Sequence, residues 1–223
     1  MAYLGKYRGK VINNIDPLMC GRIIASVPTI AELPLTWATP CVPYAGRGVG
    51  FFVVPPIGAN VWIEFEGGDL SKPIWTGCFW GKGEAPVQPA VPTTKVFKTE
   101  LVTLCINDLL AEVKLEVKTP AGIQTVVMNT GGIKLSSNAV TVSIGPTAIE
   151  LKNAVGSVSV APQAVSLKCG TAQAEVAPQG INLKNGSASL EMTPASLGLK
   201  NGGASIDMTP ASVSLNKGAL EVI

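Results

Sequence analysis

Five prolines recur every sixteen residues: Pro146, Pro162, Pro178, Pro194 and Pro210. Leucines keep the same step (Leu135, Leu151, Leu167, Leu183, Leu199, Leu215), and so does a lysine column, Lys152, Lys168, Lys184 and Lys200, that ends at Asn216. A second apolar column runs Met128, Ile144, Val160, Val176, Met192, Met208, with a companion two residues earlier at Val126, Val142, Val158, Ala174, Leu190, Ile206 and Val222. A fixed period of this length is the signature of a repeat architecture. Each period holds two short alternating segments, such as "INLK" (181–184) and "LEM" (190–192), so strands with one apolar face are expected. The corners between them alternate in kind. "TPAS" contains a proline that cannot extend a ladder, and "NGS", "NGG" and "NKG" contain a glycine that accepts positive φ cheaply.

Energetics then limit how such rungs can be buried. A strand this short has about two inward side chains, often only Val or Ala, so one chain of them encloses no core. A single-chain solenoid closes three sides with roughly eighteen or more residues per coil, and sixteen with two corners falls short. Three chains around a common axis solve the problem and remove free edges along the shaft. The expected trimer core is Val126, Met128, Leu135, Val142, Ile144, Leu151, Val158, Val160, Leu167, Val176, Leu183, Leu190, Met192, Leu199, Ile206, Met208 and Leu215. At one strand spacing per eight residues, residues 113–223 give a shaft roughly 65 Å long. Outward positions are Ser, Thr, Asn, Gln, Lys and Glu; Glu175, Glu191 and Asp207 form an acidic column offset from the lysines, read as a solvated face.

Composition divides the 223 residues. Every aromatic side chain lies within 1–97, so only the first part can build an ordinary core around large rings. Pro86, Pro89 and Pro92 mark a stiff linker between the two parts. The formal net charge of +2 gives no field that points to nucleic acid or an anionic membrane. The absence of His removes the usual base near neutral pH and the commonest imidazole ligand. Cys20, Cys41, Cys78, Cys105 and Cys169 are scattered, with no CxxC pair, which argues against a disulfide framework or a zinc site. The opening "MAYLGKYRGKVINN" lacks the apolar run of a signal peptide, so synthesis in the cytoplasm without secretion by that route is expected.

Residues 1–83 read as short strands with turn punctuation: 7–14, 21–27, 36–44, 49–54, 60–66 and 73–80. Strands at this density without helical periodicity suggest a small β-barrel. The stretches "GRIIASVP" and "WATPCVPYAGRGVGFFVVPPIGANVWIEFEGGDLSKPIWTGCFWGKGEAP" resemble the OB-fold domain of phage baseplate spike proteins. That group includes the baseplate assembly protein V family and the valine–glycine repeat proteins of type VI secretion. The matching skeleton is Gly21-Arg22, Trp37-Ala38, Gly46, Gly48, Pro55, Gly58, Val61, Phe65, Gly68-Asp69, Pro73, Gly77 and Trp80.

The resemblance implies an all-β fold: an N-terminal OB-fold barrel (1–83), a Pro-rich linker (84–98) and a C-terminal intertwined triple-stranded β-helix (99–223), formed as a homotrimer, with repeats clearest from 126. It implies a structural central spike of a contractile tail or injection machine, placed in a virion tail baseplate or an assembled injection particle. Such a spike is anchored to a separate baseplate hub protein through its OB domain, adjoins inner-tube and baseplate proteins, and pierces the target membrane on sheath contraction. Larger relatives carry a lysozyme-like domain or a hub region, and some short spikes carry a His-rich metal-binding apex; this chain shows none of these patterns, so it is expected to be a minimal spike. Leu220, Val222 and Ile223 from three chains would form an apolar plateau for a small tip protein of the PAAR-repeat type.

No catalytic, metal or cofactor-binding residue is assigned, and no enzyme activity is expected. The serines have no His beside them in the chain to serve as base, and Ser-Lys pairing within a repeat is a poor nucleophile pattern. Glu64 and Glu66 resemble paired carboxylates but read as an exposed strand face. "GRGVG" (46–50) lacks the GK[ST] of a phosphate loop and reads as a β-turn. Two other readings stand beside the spike. A trimeric attachment fibre or adhesin would normally add a receptor-binding head. A single-stranded nucleic-acid-binding OB protein would need a stronger bias than seven Lys/Arg against five Asp/Glu in residues 1–83.

Overall fold

Nearly every segment in which apolar and polar residues alternate becomes a strand. The computed structural model describes residues 2–217 and 219–222, and the chain divides into two units, residues 1–85 and 86–223.

The first unit contains β1 (Tyr7–Asn13), β2 (Ile24–Ser26), β3 (Thr39–Pro40), β4 (Ala45–Gly46), β5 (Val49–Gly50), β6 (Asn60–Phe65) and β7 (Pro73–Cys78). Five of these form a sheet in the order β2-β1-β6-β7-β3, antiparallel except for the parallel β3–β7 pair. An antiparallel bridge between Ile23 and Ala38, just before β2 and β3, joins the two outer strands and closes the barrel. The Ala38 N–H donates to Ile23 O at 2.7 Å, and the Ile23 N–H to Ala38 O at 3.1 Å. The period-two pattern of β6 sends Val61, Ile63 and Phe65 inward, where they meet Val11, Ile23, Ala25, Val27, Leu35, Ala38 and Trp75. Trp75 can be buried because its indole Nε1–H donates to Gly21 O at 3.1 Å. At Gly9 in β1, a β-carbon would stand 3.1 Å from Ile63 and 3.3 Å from the Ser26 carbonyl, so the missing side chain lets the strands close around the core. "GGD" at 67–69 turns β6 toward β7 through a single 3-10 turn, Glu66–Gly68, with Gly67 at φ 62°.

The second unit is one sixteen-stranded antiparallel sheet in strict sequence order, from Thr94–Lys98 to Leu220–Val222. At about 4.8 Å per strand it extends roughly 70 Å along the stacking direction. The first strand lies inside the stretch expected to be linker. It pairs with Val102–Asn107 because Thr99 closes the turn between them: its N–H donates to Val102 O at 2.8 Å, and its hydroxyl accepts from the Val102 N–H.

The two kinds of corner take two geometries. At "TPAS" the Thr193 N–H donates to Ser196 O at 2.8 Å, and the Thr193 hydroxyl accepts from the N–H groups of Ala195 and Ser196; Thr209 repeats the motif one period later. At the opposite corners the chain turns through positive φ at Asn138, Gly170, Gly186 and Gly202, between 51° and 59°. Asn216 breaks the lysine column where its strand ends: its side-chain oxygen accepts from the Ser205 N–H at 2.9 Å and replaces a ladder bond.

These tight corners also fix which strands are partners. Within the chain, the hydrogen-bonded neighbour of each strand is the next strand in sequence. Connections of two to four residues return the chain directly beside itself.

Candidate functional site: the apolar face of the long sheet

Antiparallel register carries local alternation into continuous columns. The central column passes through Val126, Leu135, Val142, Leu151, Val158, Leu167, Ala174, Leu183, Leu190, Leu199, Ile206 and Leu215, each opposite the next. Two residues along, and therefore on the same face, a second column contains Met128, Ile144, Val160, Val176, Met192 and Met208. All seventeen core residues expected from the sequence thus share one face.

The same face holds residues outside the expected trimer core. Ile133, Ile149, Val165, Ile181, Leu197 and Val213 complete the second column on alternate strands. Phe97, Leu104 and Leu115 extend the central column toward the start of the sheet. Their signal was present: each of the six lies two positions before a Leu of the sixteen-residue step.

Among the described residues of this unit none is buried, and the whole core of the chain lies between Val11 and Trp75. Leu151 is 48% exposed, Leu183 43% and Met192 43%. Summed over the face, the uncovered apolar area is roughly 1,500 Å², several times the few hundred Å² ordinarily contiguous on a soluble monomer. Leu183, Leu190, Leu199, Ile206 and Leu215 line an open trough of about 680 Å³.

The opposite face is polar and charged. Lys152, Lys168, Lys184 and Lys200 alternate with Ser157, Gln173, Ser189 and Ser205 in one column, and Glu175, Glu191 and Asp207 fall in the next. Lys152 pairs with Glu150 at 2.7 Å and Lys114 with Glu116 at 2.8 Å, where the lysine lowers the Glu116 pKa. Lys95 and Asp108 form a further ion pair. Among the described residues no ion pair joins Lys168, Lys184 or Lys200 to the acidic column.

In the barrel the residues weighed for chemistry are separated. Glu64 pairs with Lys6 at 2.7 Å, while Glu66 begins the 3-10 turn. "GRGVG" spans the β4–β5 hairpin. Among the described residues no group of three or more His, Cys, Asp or Glu side chains could hold a metal ion. Among the described residues no helix is long and apolar enough to cross a membrane.

Asp16 and Arg22 form a structural knot that sequence spacing did not reveal. The carboxylate accepts from the N–H groups of Leu18, Cys20 and Arg22, and the Arg22 guanidinium grips it with a contact of 2.6 Å. The Arg22 hydrogen bond holds the Asp16 carboxyl well below the usual carboxylate range. The same guanidinium lies 5.3 Å from the Trp37 ring centroid. On another strand pair, Arg8 lies 5.0 Å from the Trp62 ring and 4.7 Å from that of Phe79. Beside the knot, Met19, Tyr44, Phe51 and Phe52 rim a cleft of about 540 Å³, with Phe52 71% exposed. At the end of the sheet Leu220 is 56% exposed; Val222 belongs to the last strand, and Ile223 lies outside the described residues.

A family model described as the type VI secretion system/phage-baseplate injector OB domain matches residues 7–80. No curated protein sequence matches the chain.

Proposed function

We propose, from the premise that the N-terminal unit belongs to the baseplate assembly protein V family of injector OB domains, that three copies of this chain form the rigid central spike of a contractile tail or injection machine. The observation that carries this reading is the continuous apolar face of the long sheet, left uncovered in a chain whose other unit buries its own core. Three such sheets facing a common axis would cover that face on all sides, and the solvated columns would form the outer surface. The barrel would hold the spike on a separate hub protein, with the rim of Met19, Tyr44, Phe51 and Phe52 as the anchoring surface. The strand Leu220–Val222, with Leu220 exposed, would seat a small tip protein of the PAAR-repeat type. The role is mechanical: sheath contraction drives the shaft through the target envelope, with no catalytic group or cofactor involved.

Native mass measurement of the full chain tests the reading. The expected species has three times the 23.0 kDa chain mass. A stable folded monomer would overturn it.

A further inference from the structure

The apolar face has three columns, and the two that flank the central one differ in size. The flank beside the Pro-containing corners is large and apolar and includes Met192 and Met208. From Gly156 to Ala204 the flank beside the Gly-containing corners is small or amide-bearing: Ala188 stands between Asn185 and Asn201, and Asn201 opposite Ala204. Within a strand the two flanks compensate. The strands that bear Met192 and Met208 carry Ala188 and Ala204, and the strand that bears Val160 carries Gly156.

We infer, resting on the trimeric reading above, that the large flank of one copy packs against the small flank of the next copy on the same rung, with Met192 against Ala188 and Met208 against Ala204. Rotation about an axis along the stacking direction brings the Pro side of one sheet to the Gly side of its neighbour, a head-to-tail contact that closes into a ring. Both partners then sit at one height, because rotation alone adds no translation. A long flexible Met fills the space that an Ala leaves, and such pairing of large with small lets facing layers interdigitate. On the intervening rungs Asn185 and Asn201 stand at the corners, where their amides reach water. The occupant is another copy of this chain, since it matches the rung spacing and the sixteen-residue step over the whole flank by construction.

Disulfide trapping tests the seam on a background with the five cysteines changed to serine. Met192→Cys with Ala188→Cys places two thiols four residues apart on one strand, about 13 Å. That separation exceeds the reach of a disulfide, roughly 7 Å between Cα atoms, so any bond must join two chains. Mild oxidation should convert the double variant to a covalent three-chain species on a non-reducing denaturing gel, while each single variant runs as one chain. Met208→Cys with Ala204→Cys should behave alike and serves if the first pair does not assemble. A covalent dimer from Met192→Cys alone would show that like flanks meet and overturn the seam. So would the absence of crosslinking in a protein that native mass shows to be trimeric. A monomer by native mass would overturn the trimeric reading itself.

Discussion

Replacing Leu183 with Asp places the perturbation at the middle of the central column, between Ala174 and Leu190. Leu183 is 43% exposed in the single chain, which leaves roughly 80 Å² for a partner to cover, worth about 2 kcal/mol per chain at ~25 cal/mol per Å². Three copies lose about 6 kcal/mol of burial. Three carboxylates drawn toward one axis then add a desolvation cost of several kcal/mol each, before their mutual repulsion. The total exceeds about 10 kcal/mol per assembly, a loss of roughly seven decades in association constant. Native mass and sedimentation of Leu183→Asp should therefore show a loss of the trimer at micromolar concentration. Lys184→Asp, one residue on and on the polar face, should leave the trimer intact. If Leu183→Asp formed trimers of unchanged thermal stability, the apolar face would not be the buried one and the reasoning would fail.

Ile63 is fully buried in the barrel, so Ile63→Ala should cost about 2–5 kcal/mol and lower the unfolding midpoint of that unit; denaturant unfolding followed by Trp fluorescence, which reports only residues 37–80, should shift while trimer mass is retained. The folded pKa of Asp16 is depressed, so its contribution is complete above the unfolded value of about 4 and is lost as pH falls through the folded value. Barrel stability in Asp16→Asn should accordingly lose part of the wild-type dependence on acid below about pH 4, as measured by urea midpoints across that range.

Legibility in the sequence followed the range of the interactions. The face shared by Leu183, Leu190 and Met192 depends on alternation within a strand and on corners of two to four residues, both local, and both repeat. The first strands of the sheet, through Phe97, Leu104 and Leu115, obey the same alternation but fall outside the sixteen-residue step, because the Glu112–Thr119 and Gly122–Asn129 strands run to eight residues each. The repeat therefore did not reveal them. The Asp16–Arg22 knot depends on how one loop folds back on itself, and the contact of Arg8 with Trp62 depends on the β1–β6 register. Neither follows from periodicity. Strand pairing within the chain follows from the short corners, which set each strand beside the next in sequence.

That pairing has a mechanical consequence. Every ladder bond of the long sheet runs along the stacking direction and links each hairpin only to the next. Under compression along that direction the strands are pressed onto their partners, and the load is borne by the full stack. Under tension a strand meets the force with only its own few ladder bonds, and each strand released hands the load to the next. A sheet of this topology resists pushing along the stack and peels apart strand by strand when pulled.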